Sequence, residues 1–213
     1  MDLQLRRFLA FAVFCLAVLG GPAIAKADGI ETALGTLLAA GEPRDLGVAD
    51  ADLRRALAAF YAARGDEPAW RASENWSPHA AAAVRTLAAA GEQGLDPARF
   101  LAPELKRLDS LRTPAEVARG DLLLSAGMLA YVRDVRAGQV PPSERGVGVH
   151  VPPVKIDPAA VLRAGLAARD FAAWLASLPP QEAAYARLRD ALARYRDLAA
   201  TGNWPRFPDG PSL

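Results

Sequence analysis

The sequence predicts a mainly α protein: a single irregular helical domain interrupted by one long Pro/Gly-rich loop. Three observations predict it. Beyond an apolar N-terminal run, apolar residues recur mostly at three- and four-residue spacing. Alanine, which enters a helix at little side-chain entropy cost, is abundant. Four times a short polar residue stands directly before proline, at Ser77-Pro78, Asp96-Pro97, Thr113-Pro114 and Asp157-Pro158. There the side-chain oxygen can take an orphan amide, and proline fills a first-turn position that needs no amide partner.

The elements follow in order. MDLQLRRFLAFAVFCLAVLGGPAIAKADG sets Arg6 and Arg7 before an apolar run from Phe8 to Leu19, then a Gly-Gly-Pro break and the small-x-small site Ala23-Ile24-Ala25. This is the pattern of a cleavable secretory signal, residues 1–25, with cleavage after Ala27 as the alternative. The run is too short before its break to act as a retained anchor, so the expected location is the periplasm, with no stable membrane anchor after cleavage. Residues 26–49 read as an N-terminal segment with a short helix, and residues 50–202 as the helical domain.

Within that domain a helix runs from Asp50 to Arg64 with Leu53, Leu57, Phe60 and Tyr61 on one stripe, and another from Pro78 to Ala90. The stretch Thr113-Pro114-Ala115-Glu116 is a capping box and opens a long helix toward Gly138. Gly120 and Gly127 inside it are places for a bend or a close neighbour. GQVPPSERGVGVHVPP, residues 138–153, forbids continuous helix and reads as a loop with one short extended segment at Val147, Val149 and Val151. Helices resume over 158–168, 171–178 and 181–200, the last with Tyr185, Leu188, Leu192 and Tyr195 in register and Gly202 as its stop. Residues 203–213, NWPRFPDGPSL, form a linker-like tail.

Composition narrows the chemistry. With 52% apolar and 23% charged residues, a chain of 213 residues can bury one sizeable core. Its 25 Lys and Arg nearly balance 24 Asp and Glu, so it offers no basic field for nucleic acid. Cys15, the single cysteine, lies inside the signal, so export leaves no disulfide, thiolate metal site or cysteine nucleophile. His79 and His150, far apart in sequence, supply neither a serine triad nor a zinc site, and no metal or other cofactor is expected. Glu74, Glu92, Asp96, Asp121 and Asp134 are the acids a glycan-cleaving pair would draw on. Asp96 is better explained as a helix cap, and Asp134 as a charge on an exposed helix face beside Arg133 and Arg136. Tyr61, Trp70, Tyr131, Tyr185 and Tyr195 read as core aromatics whose polar tip finds one hydrogen bond. Trp70 and Trp76 are the candidates for ligand or partner contact, as is the 138–153 loop.

In order, FYAARGDEPAW, AVRTLAAAGEQGLDPARF, DLLLSAGMLAYVRDVRAGQVPP and LPPQEAAYARLRDALARYRDLAATGNWP resemble the N-terminal scaffold domain of the large murein L,D-transpeptidases of Gram-negative bacteria. The resemblance covers roughly Asp50 to Pro205, carried by order and spacing rather than by any single motif. In that family the scaffold precedes a small peptidoglycan-binding module and a β-rich catalytic domain with a Ser-x-Gly-Cys nucleophile. Neither is expected here, and NWPRFPDGPSL resembles the connector into the first. The resemblance implies a non-catalytic scaffold associated with peptidoglycan crosslinking and cell-wall biogenesis, acting through partners or as the front part of a shortened enzyme. A periplasmic peptidoglycan-binding module is the alternative, and a small muramidase using the acids above is a third. The implied partners are peptidoglycan or cell-wall synthesis proteins.

Overall fold

A computed structural model describes residues 22–39, 50–100, 103–140 and 154–202. Among these residues seven α-helices follow one another: α1 (Pro22–Ala39), α2 (Ala51–Ala62), α3 (Pro78–Ala88), α4 (Pro114–Ala137), α5 (Pro158–Leu166), α6 (Phe171–Ser177) and α7 (Ala183–Thr201). Between α2 and α3 lies an antiparallel hairpin of two-residue strands, β1 (Arg71–Ala72) and β2 (Asn75–Trp76), with Arg71 opposite Trp76. Three 3-10 segments, Ala90–Gln93, Pro97–Arg99 and Pro103–Ser110, connect α3 to α4. The protein is mainly α, as the periodicity predicts.

The helix starts form as the proline junctions indicate. Ser77, Thr113 and Asp157 each accept an amide of the first turn of their helix, and Asp96 accepts the amide of Ala98. At Thr113 the box closes in both directions, because Glu116 also accepts the amides of Thr113 and Arg112.

α4 is the axis of the domain. α1, α2, α3, α5 and the Pro103–Ser110 segment all pack directly on it. It is buried almost all round from Val117 to Val135, as expected of a helix whose apolar residues do not keep to one stripe. Gly127 permits this crowding: a Cβ there would sit 2.2 Å from the Phe100 carbonyl oxygen, closer than any real contact. At Gly120 a Cβ would meet the side chains of Leu111 and Trp76.

The structure adds to the sequence reading and, at Asp134 and α7, changes it. α1 spans both proposed cleavage points and sends Ile30 and Leu34 into the core, so the helix of the N-terminal segment packs on the domain. The hairpin has no counterpart in the sequence reading, because two-residue strands are too short to leave an alternating pattern. Asp134 is not on an exposed face: it is buried, accepts from Arg133 Nε at 2.8 Å and lies 3.5 Å from an Arg99 guanidinium nitrogen. α7 has the predicted register, yet none of its residues is buried, and Tyr195 is 60% exposed. The expected strand at Val147–Val151, His150, the signal region ahead of α1 and the 203–213 tail lie outside the described residues.

Candidate functional site

Two polar sites flank α4, one closed and one open. The closed site is built around Asp121, fully buried in the middle of α4. Its Oδ1 accepts the Tyr61 hydroxyl at 2.5 Å and the Ala69 amide at 2.8 Å, while Oδ2 accepts the Trp70 amide at 3.0 Å. One turn later Ser125 Oγ accepts the Trp70 indole N–H at 2.9 Å and stands 2.8 Å from the Tyr61 oxygen. With Asp121 ionised, the Tyr61 proton is committed to the carboxylate, so Ser125 donates to Tyr61. Burial is the largest influence on Asp121 and holds its carboxyl above the ordinary range, although three hydrogen bonds pull it down. Burial and the neighbouring carboxylate push the Tyr61 hydroxyl well above its usual value. The group ties α2, the segment before the hairpin and α4 together, and every oxygen of Asp121 is occupied by protein.

Trp70 belongs to this closed site. Its ring is completely enclosed and packs edge-on against Phe171 at 6.2 Å, so it presents no face to a ligand. Trp76 is placed differently. It is half-buried on β2 and lines an open cleft of about 340 Å3 between α1, the hairpin, the Pro103–Ser110 segment and the start of α4. Its indole N–H donates to the Leu108 carbonyl at 2.9 Å, which fixes the ring. The Arg71 guanidinium lies over the Trp76 ring at 5.3 Å and donates to the Glu74 carbonyl. Glu74, Asp109 and Arg112 complete the charged lining. A second depression of about 400 Å3, shallower, lies between α3, α6 and α7 with Tyr131, Glu92 and Arg189 on its wall.

The remaining candidates separate in space. Asp96 caps the Pro97–Arg99 turn, Asp121 and Asp134 are internal, and Glu74 and Glu92 line different depressions. His79 stacks on Phe171 at 4.4 Å between ring centres. Among the described residues, no group of three or more His, Asp or Glu is placed to hold a metal ion, and no helix is long and apolar enough to cross a membrane. Sequence reasoning missed Arg71, Asp109 and Arg112 as neighbours of Trp76, since only the hairpin pairing and the bent Pro103–Ser110 segment bring them together. Asp121 had a legible signal: a lone acid within Gly120-Asp121-Leu122-Leu123-Leu124, where an unpartnered charge would be costly.

The described residues form a helical body centred on one buried helix, α4. The chain matches the family model described as Scaffold domain over residues 55–192 and belongs to that family. This agrees with the resemblance to the L,D-transpeptidase scaffold domain. No curated protein and no solved structure matches the chain.

Proposed function

We propose that this protein is a non-catalytic scaffold of peptidoglycan crosslinking, working in the periplasm by holding or positioning cell-wall synthesis proteins. The observation that carries this reading is the family match across residues 55–192. The chemistry of the described residues supports it. The best-positioned acids are engaged internally, and the single cysteine, Cys15, falls within the expected signal. α7 supports action through partners, because Leu188 and Leu198 stand 69% and 53% exposed on a helix held to the body largely by polar tethers.

The test is a pull-down from envelope extracts with the mature protein as bait. Recovery of a transpeptidase, a synthase or peptidoglycan is expected, and recovery of none of these overturns the reading.

A second reading, direct binding of peptidoglycan, is favoured by the open cleft at Trp76. Sedimentation with purified sacculi distinguishes it: co-pelleting lost in Trp76→Ala, with the fold retained by circular dichroism, supports the cleft as the wall contact. A muramidase predicts release of soluble muropeptides, and sacculi incubated from mildly acidic to neutral pH without such release remove that possibility.

A further inference from the structure

We propose that the Trp76 cleft binds the free end of a short peptide or an amino acid, a small zwitterion carrying a carboxylate and an ammonium group. This deepens the second reading above and rests on it only for the source of such ends, peptides of the cell wall.

Aromatic stacking of a sugar is disfavoured by the geometry. One face of the Trp76 ring is covered by the Arg71 guanidinium, and the ring edge abuts α4 at Gly120, where even a Cβ would come within 3.2 Å. The indole N–H is already spent on Leu108. Trp76 is therefore a wall of the cleft rather than a platform.

The cations define one half of the ligand. Arg71 donates one terminal N–H to the Glu74 carbonyl, its Nε is sealed from solvent without an acceptor, and its other terminal nitrogen has none among the described residues. The terminal nitrogens, unlike Nε, are the part of this guanidinium a ligand can reach, and a carboxylate matches that edge. Arg112 supplies a second cation, its head drawn toward the chain by bonds to the carbonyls of Asp109 and Leu111.

The anions define the other half. Glu74 and Asp109 line the same cleft, and neither carboxylate takes a hydrogen bond among the described residues. Two cations facing two anions leave the lining neutral, which selects against a polyanion such as a phosphate and in favour of a ligand with both charges. Leu111, Pro114 and Val117 provide an apolar wall for a small aliphatic side chain. The volume is at the lower end of the roughly 300 to 1,000 Å3 of small-ligand sites, suited to one or two residues and not to a folded partner.

The experiment is a nitrogen–proton correlation titration of the mature protein with the dipeptide Ala-Ala, its C-terminal amide and its N-acetyl form. The Trp76 indole signal is assigned by its loss in Trp76→Phe. Ala-Ala is expected to move that signal saturably. Amidation of the ligand, or Arg112→Gln in the protein, should weaken binding at least about fivefold, the scale of one charge-assisted contact. N-acetylation or Glu74→Gln should weaken it at least about twofold, as expected of a more exposed ion pair. Arg112 and Glu74 are exposed, so unchanged melting curves are expected to show that these variants stay folded. No movement up to ~20 mM Ala-Ala, or binding of the amide within about fivefold of the free acid, overturns the proposal. Sacculus pelleting is measured on the same preparation. A protein that pellets but ignores Ala-Ala loses the cleft assignment alone, whereas one that binds Ala-Ala without pelleting keeps the cleft and loses the cell-wall reading.

Discussion

α4 and α7 are the two longest helices with a fully described face pattern, and they have opposite fates. Both carry leucine and tyrosine at helical spacing, yet α4 is buried nearly all round, whereas α7 has no buried residue and is at most half-buried at Tyr185, Ala191 and Leu192. The difference lies in what fills the intervals. Beside its leucines α4 carries Gly120, Ser125, Ala126 and Gly127, residues small enough for the Phe100 backbone, Leu111 and Trp76 to close in. α7 carries Arg187, Arg189, Asp190, Arg194, Arg196 and Asp197, whose charges are costly to remove from water. α7 instead hangs on side-chain tethers: the Tyr185 hydroxyl donates to Gln93 at 3.0 Å and Arg196 donates to the Gly91 carbonyl. A period of three to four identifies a helix, while the residues between the apolar positions determine whether a neighbour can approach.

This contrast can be broken or sharpened by substitution. The largest effect belongs to Asp121→Ala, which leaves the Tyr61 hydroxyl with Ser125 alone and takes the acceptor from the amides of Ala69 and Trp70. A loss of about 3 to 5 kcal/mol in urea unfolding is expected. Asp121→Asn gives a milder loss and a changed pH profile. Burial holds the Asp121 carboxyl above its ordinary value, so the folded chain keeps this proton to higher pH than the unfolded chain does. The Asp121 contribution to stability therefore falls as pH rises from the ordinary carboxylate range through the raised folded value, and the Asn variant lacks that slope. Unfolding curves of both proteins across that window measure it.

Leu124→Ala, at a fully enclosed position on α4, should cost about 3 kcal/mol by the same unfolding measurement. Thr113→Ala removes one half of the capping box and should cost about 1 kcal/mol. Leu188→Ala on α7 should change stability by less than ~0.5 kcal/mol, as its side chain already faces water. A loss at Leu188 equal to that at Leu124 would show that α7 is covered in solution and would end the contrast between the two helices.

Much of the fold was legible because its signals are local. Ser77, Asp96, Thr113 and Asp157 announce their caps within three or four residues, so those starts could be read directly. The open site was only half legible. Trp76 is a contact candidate in sequence, but Arg112 and Asp109 join it from more than thirty residues away through the bent segment that includes Arg107 in a non-helical conformation. Trp70 carries both a core-aromatic and a contact reading in sequence, and the approach of Phe171 and Ser125 from distant elements encloses it and decides for the core. Asp134 was misplaced for the same reason: the arginine that helps hold it inside, Arg99, comes from another segment.

By itself the amino-acid sequence determined the helical class, the capped helix starts and the family, because each depends on residues close along the chain or on their order. Which helix became the axis, which tryptophan was sealed and which charges meet in the cleft were decided only by tertiary structure. Burial and charge compensation are properties of what a side chain finds opposite it, and that partner is brought there by packing rather than by sequence proximity.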